Sequence, residues 1–328
     1  MINPPRFRPW GQLDWVVPRI PNCNWSFIGN VSPEDRCLAA WHVLSSLAPS
    51  STGEFMQVID PPSRYSSAIE KKCHALALRL YTMGLRHSDI KPVPLLARSE
   101  ELVKTVNAFI ASASTDVICD ISTFPKRFFF PAIKLLLSSD SIHNLVVTYT
   151  LPDSYSAQQL SEDPDPWRHL PLFAPPYPEP EVKLLILGVG FEPLALPELL
   201  QEDYRGVGIK LLFPFPPGPP SFQRAWEFVR TIEDSFPHAA REPIRVDARD
   251  VSDAFDHICA ATDRGAEYAV LAPYGPKTIS LAMCLYSIVT GHPAYYTQPK
   301  VYSPDYSTGV SDTYAYCVKL QGHNLYSL

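Results

Sequence analysis

Two stretches of this chain follow one plan, and that plan limits what the whole can fold into. In the first, an apolar run Pro92-Val93-Pro94-Leu95-Leu96 ends in Ala97-Arg98 and an amphipathic segment follows. The run Val117-Ile118-Cys119 then opens into Asp120-Ile121-Ser122-Thr123-Phe124-Pro125-Lys126 and another helical pattern. In the second, Pro243-Ile244-Arg245-Val246 ends in Ala248-Arg249, and Tyr268-Ala269-Val270-Leu271 opens into Ala272-Pro273-Tyr274-Gly275-Pro276-Lys277. The anchors keep one offset, because 249 minus 98 and 277 minus 126 both give 151. An internal duplication is therefore expected, and in a chain of two similar halves the functional cleft is expected where they meet.

The chain's 328 residues suffice for two medium domains, each with its own core. A net charge of -6 argues against general nucleic-acid binding, which calls for a basic surplus. No apolar run is long enough to cross a membrane as a helix, and the first fifteen residues lack the apolar core of a secretion signal. The seven cysteines are scattered without C-x-x-C pairs, which suits buried thiols in a reducing cytoplasm. Prolines concentrate in Leu151–Glu181 and again in Pro214–Pro220. Proline fixes φ and removes a donor, so both stretches read as extended connections. The expected division is a first unit over 1–150, a linker over 151–181 and a second unit over 182–328.

Within each unit, short apolar runs alternate with amphipathic segments. The runs begin at Trp25, Phe55, Pro92, Val117 and Leu145 in the first half, and at Leu184, Ile209, Pro243 and Tyr268 in the second. A short strand is expected near Ala294-Tyr295-Tyr296, and alternation over Thr313–Leu320 predicts a further one. Continuous apolar strands separated by helices mark parallel sheets covered on both faces. The expected fold is α/β, with two tandem Rossmann-like parallel-sheet units.

In such sheets ligands bind at the carboxyl ends of the strands, beside helix N-termini. A lysine at a helix N-terminus meets the positive end of the helix dipole, and here Lys126 and Lys277 repeat the misfit. An anion held between lysine and backbone amides explains it, with hydroxyls from Ser122, Thr123 and Tyr274 and the backbone of Gly275 assisting. A lysine reaching into water explains it too. Arg98 and Arg249, just past the third strands, can grip a phosphate or form salt bridges with Asp60, Glu100 or Asp247. Gly29, Gly188 and Gly190 sit where Rossmann units bring backbone to phosphate, although the G-x-G-x-x-G pattern is absent; such glycines also simply relieve backbone strain. Asp60 ends the second strand, the place of a ribose-binding acid. Asp60 and Asp120 are the candidate catalytic carboxylates. No metal-ligand spacing, nucleophile motif or P-loop occurs, so neither a metal nor a cofactor is expected.

The stretch Asp120-Ile121-Ser122-Thr123-Phe124-Pro125-Lys126 resembles the strand-to-helix loop of CARF domains, Rossmann-like sensors of CRISPR-associated proteins, which often reads Asp-x-Thr-Gly-Gly-Thr-Lys. The Asp-to-Lys spacing and the serine match; Thr123-Phe124 replaces the glycine pair, and Pro125 replaces the threonine before lysine. Gly275-Pro276-Lys277 looks like a second copy without the aspartate. Two CARF-like units in one chain is also the layout of SAVED domains. The resemblance implies a cytoplasmic sensor of nucleotides or cyclic oligonucleotides in anti-phage defence, with an effector protein as partner. Two other readings stay open. One is a phosphodiesterase or nucleotide hydrolase in the same cleft; the other is a non-catalytic interaction subunit of a larger complex.

Overall fold

The computed structural model describes residues 7–21, 24–194, 196, 204, 206–215, 221–235 and 241–328. Residues 216–220 of the expected proline loop, and Cys23, lie outside the described residues. In chain order the main elements are β1 (Trp10–Gln12), β2 (Trp25–Val31), α1 (Ala39–Leu47), β3 (Thr52–Ile59), α2 (Ser66–Thr82) and β4 (Ile90–Pro94). Next come α3 (Ser99–Ser112), β5 (Asp116–Asp120), α4 (Lys126–Ser138), β6 (Asn144–Thr150), β7 (Leu184–Gly188) and β8 (Gly208–Phe215). The rest are α5 (Ser221–Ser235), β9 (Arg241–Asp247), α6 (Val251–Ala261), β10 (Ala269–Ala272), α7 (Lys277–Thr290) and β11 (Thr313–Leu320). They fall into two compact units. The first holds the chain up to Asp163 with Pro299–Leu325, and the second holds Pro164–Gln298 with Tyr326–Leu328.

In the first unit the sheet order is β1-β11-β6-β5-β2-β3-β4. The five strands from β6 to β4 run parallel, while β11 is antiparallel to both β6 and β1. Counted along the chain, the parallel strands read 3-2-1-4-5, the doubly wound order whose direction reverses between β2 and β5. Every residue of β2 and of β5 is buried, as expected of central strands with helices on both faces. Phe27, Trp41 and Phe55 meet with ring centroids 5.3–6.4 Å apart and fill the space between β2, β3 and α1. Gly29 lies inside β2, and a Cβ there would come within 2.8 Å of Phe27 and 3.0 Å of Phe55. Its missing side chain makes room for these rings.

The second sheet has the order β9-β8-β7-β10, all parallel, which again reads 3-2-1-4. Where a fifth strand would pair there is one parallel bridge, Leu271 to Ala294. Asp250 caps α6 by accepting hydrogen bonds from the amides of Ser252 (2.7 Å) and Asp253 (3.2 Å). Helix α7 is buried from Thr278 through Ser287 and stops at Gly291, whose φ of 76° is the left-handed conformation glycine supplies.

The α/β class and the mostly parallel, Rossmann-like sheets match the sequence expectation. The expected boundaries need one correction. The strand over Thr313–Leu320 does not extend the second unit; it pairs with β6 along the edge of the first sheet. Alternation predicts a strand but not its neighbour, and a chain that returns to an earlier sheet breaks the rule that consecutive elements lie side by side. Burial of Ala315 through Val318 shows what this return achieves, since it covers an otherwise open sheet edge. The expected linker 151–181 also carries short strands, Ser154–Tyr155, Ser161–Pro164 and Arg168–His169.

Lys319 fixes the returning strand. Its side chain is buried, and its ammonium donates to the carbonyls of Leu137 (3.3 Å) and Ser139 (2.9 Å). These carbonyls close α4, where the helix dipole favours a cation. Replacing Lys319 with Met keeps the apolar stem and takes this donor from both carbonyls, of which that of Ser139 still accepts from the Ile142 amide (3.3 Å). Urea unfolding of Lys319→Met should show a loss of about 1–3 kcal/mol with the m-value unchanged. An unchanged midpoint would remove this contact from the account of the fold.

Candidate functional site

The carboxyl ends of β2, β5 and β6 carry a chain of buried polar groups. Asp120 ends β5 with no exposed surface. Its Oδ1 accepts from Ser122 Oγ (2.6 Å), Thr148 Oγ1 (2.9 Å) and, at 3.4 Å, the Ser122 amide. Ser122 Oγ in turn accepts from the Thr150 amide (2.7 Å), and the Thr150 carbonyl accepts from Arg36 Nη1 (3.1 Å). Arg36, buried after β2, pairs through Nε (3.0 Å) and Nη2 (2.9 Å) with one oxygen of Glu34. Ser307 also donates to that oxygen. The faces of Tyr149 and Tyr155 lie 5.8 and 6.0 Å from the guanidinium carbon.

Nothing in the sequence announces this pair, because Ser32-Pro33-Glu34-Asp35 has the pattern of an ordinary helix start, with a serine cap and acids in the first turn. The observed start is a single turn over Asp35–Leu38, with Ser32 Oγ accepting from the Glu34 amide (3.2 Å).

One carboxylate oxygen, Asp120 Oδ2, is buried and meets no donor among the described residues. Burial pushes the Asp120 carboxyl up to about 6, against the opposing pull of its serine and threonine donors and of Arg36. Asp60, part-buried just past β3, is also raised to about 6 by burial.

Asn30 ties the switch point together. Its Nδ2 donates to the Thr123 carbonyl (3.1 Å), and its Oδ1 accepts from the Val58 amide (3.2 Å). Thr123 Oγ1 donates back to the Asn30 carbonyl (3.0 Å). The hydroxyls of Ser122 and Thr123, expected as ligand donors, are therefore committed to the protein in this state. Lys126 is the first residue of α4, preceded by Pro125 at a cap position that makes no side-chain hydrogen bond. Its first turn holds no acid. Lys126 keeps part of its surface exposed, and burial of the remainder lowers its ammonium to about 7.

Arg98 is exposed at the cap of α3. The next helix reaches back to it, since Arg127 Nη2 donates to the Ala97 carbonyl (2.7 Å). The second unit repeats this tie, with Thr278 Oγ1 donating to the Ala248 carbonyl (2.6 Å). Both partners are again displaced by 151 positions, 278 minus 127 and 248 minus 97. In each unit, then, the end of the third strand is fastened to the helix that the lysine begins. Arg249 lies beside Asp247, with Nε 3.9 Å from Oδ1, as one of the salt bridges weighed from the sequence.

The second unit builds its switch point from backbone. A Cβ on Gly190 would fall 2.1 Å from the Tyr274 carbonyl oxygen, one on Gly188 3.1 Å from the Gly275 amide nitrogen, and one on Gly275 3.1 Å from the Val189 carbonyl. The space these glycines leave is filled by the facing loop, which accounts for their lack of side chains by close backbone packing. Tyr274 is buried among Trp167, Phe228 and Tyr296, and its hydroxyl donates to Thr297 Oγ1 (2.8 Å). Lys277, like Lys126, opens its helix after a proline cap. The described residues contain no cluster of His, Cys, Asp and Glu able to hold a metal, and no helix among them is long and apolar enough to cross a membrane.

No protein-family profile matches this chain, and no curated protein does. A solved structure, described as a functionally unknown protein PA1789 from Pseudomonas aeruginosa PAO1, aligns with it at 11% identity and a TM-score of 0.24. That alignment covers 84% of this chain and 92% of the other.

Two expectations test this description. Gly190→Ala should cost about 2 kcal/mol or more in denaturant unfolding, because backbone must move to admit the methyl. A variant as stable as the wild type would return Gly190 to a ligand-facing role. For Asp120, a carboxyl pKa raised in the fold favours the folded state at low pH, and that contribution is lost as pH rises through about 6. Asp120→Asn keeps the oxygen that Ser122 and Thr148 use and removes the charge. The variant should match the wild type near pH 4 and exceed it at pH 8, by an amount on the order of 1–3 kcal/mol. Equal stability at both pH values would mean that Asp120 meets no net penalty.

Proposed function

We propose that the first unit binds a nucleotide-like anion at the carboxyl end of its parallel sheet. One observation carries this reading. At the β2/β5 switch point, α4 begins with Lys126 and Arg127, with no acid in its first turn and no side-chain cap. The dipole and the lysine charge oppose each other there, and an anion relieves both. Lys126 holds the anion, the amides of the first turn complete its shell, and Arg98 and the equivalent Lys277–Arg249 pair are the further cations to test. The protein acts as a binding or sensing component. A cytoplasmic place in anti-phage nucleotide signalling is supported by the loop resemblance to CARF and SAVED domains.

A second reading, nucleotide hydrolysis, is favoured by Asp60. It is part-buried at a strand end with a carboxyl near 6, which suits a general base. Asp120 is the weaker candidate base, since its surface is buried and one of its oxygens is already engaged.

The test is a thermal-shift screen against mono-, di- and cyclic oligonucleotides, followed by recovery of each hit. A ligand at a hundredfold excess over its dissociation constant stabilises by about 2.7 kcal/mol. Lys126→Ala should abolish the shift while leaving the fold intact. A hit recovered unchanged supports binding, and a hit consumed by the wild type but not by Asp60→Asn supports hydrolysis. Affinity should also weaken from pH 6 to pH 8, because Lys126 gives up its proton near 7. A shift that survives Lys126→Ala removes the proposal.

A further inference from the structure

The segment Ser303–Thr308 belongs to the first unit although it lies far along the chain from that unit's parallel strands. It turns on itself through the Tyr306 amide and the Ser303 carbonyl (3.2 Å), its Ser303 amide donates to the Leu160 carbonyl (2.9 Å), and charged groups hold it on two sides. On one side, Lys72 of α2 donates to Asp305 Oδ1 (2.7 Å) and to the Pro304 carbonyl (2.7 Å). On the other, Ser307 donates to the buried Glu34. The pairing that supports the segment is short: Ser307–Thr308 lie against Ser154–Tyr155, with the amides of Asp153 and Ser156 donating to Thr308 and Tyr306.

We infer that Ser303–Thr308 is a latched strap on the first unit, in which the carboxylate of Asp305 occupies Lys72 in place of an anionic group of the ligand. The inference rests on the anion-binding reading given above. Three features support it. First, the Lys72–Asp305 pair is exposed, with side chains 42% and 73% accessible, so water and salt screen it and a polyanion can displace it. Second, the strap end is wired to the loop that leads to Lys126. Ser307 holds Glu34, Glu34 holds Arg36, Arg36 holds the Thr150 carbonyl, the Thr150 amide holds Ser122, and Ser122 holds Asp120. Losing the first link removes a donor from Glu34 in buried surroundings, where the rest of the chain must adjust. Third, α2, the helix that carries Lys72, is also tied to the turn after β2, since Arg79 Nη1 donates to Asp35 Oδ1 (3.3 Å). The latch thus sits on a helix joined to the segment that holds Glu34 and Arg36.

The experiment uses the full chain and the variants Asp305→Ala, Ser307→Ala and both together, with ATP and cyclic triadenylate as probes. Asp305 is mostly exposed, so its loss leaves the fold standing. Hydrogen exchange at the amides of Asp153 and Ser156 reports the strap without any ligand. In the double variant their exchange should rise about tenfold, the scale of one exposed ion pair plus one buried hydrogen bond, while amides in the middle of α4 stay protected. The probe that shifts the wild type should bind the double variant several-fold more tightly, and Lys72→Ala should cancel that gain.

Unchanged exchange overturns the strap, whatever the probes do. Faster exchange with unchanged affinity overturns its competition with ligand and leaves the Lys126 reading standing. Absence of binding to wild type and variants alike overturns both.

Discussion

The buried line from Asp120 to Glu34 is the constraint on which the first unit depends. It joins the ends of β5 and β6, the segment after β2 and the returning C-terminal chain, and each junction is a hydrogen bond with little or no access to water. Such a line is costly unless every member is satisfied, so it selects one arrangement of these segments from the many that apolar packing would tolerate. The Glu34–Arg36 pair meets this demand: Arg36 donates to a carboxylate and a carbonyl and lies by two tyrosine rings. The member that falls short is Asp120, with one oxygen left over. A carboxyl with a raised pKa is the physical answer to that shortfall, since a proton replaces the missing donor.

The two units solve the same geometric problem with different chemistry. Both sheets reverse direction between their first and fourth strands, and both fasten the third strand's end to the helix that follows the fourth. In the first unit that fastening is a guanidinium, and the switch point is held by charges and hydroxyls. In the second it is a threonine hydroxyl, and the switch point is held by glycine backbones in contact and a tyrosine hydroxyl on Thr297. Backbone contact leaves little room for a ligand between the two loops, and an aromatic cluster leaves little charge to attract one. The spacing of 151 residues is therefore common to the frame, while the chemistry that could serve an anion is concentrated in the first unit.

What the sequence made legible follows from period and punctuation. Fully buried strands print as apolar runs, so Trp25–Val31, Asp116–Asp120 and Leu184–Gly188 could be located within a residue or two. Lysine after proline placed both helix starts. Partner choice does not print. Thr313–Leu320 has the same alternation whichever sheet receives it, and only the exposed edge of β6 decides. Glycine is ambiguous for a related reason, because its lack of a side chain serves an approaching ring at Gly29 and an approaching loop at Gly190 as well as it would serve a phosphate. Buried charge is the least legible of all, since Ser32-Pro33-Glu34-Asp35 is spelled like any helix start and gives no sign that Glu34 will pair with Arg36 in the interior.

The charges near the switch point also set the conditions under which an anion is welcome. Asp60 and Asp120 carry carboxyls near 6, and Lys126 an ammonium near 7, each displaced by burial toward its neutral form. Below pH 6 the acids are largely protonated and the lysine charged, so the local field favours an anion. Above pH 7 both terms reverse. Between these limits, small changes in desolvation move protons, and a ligand that brings negative charge to Lys126 must draw a proton to it by linkage.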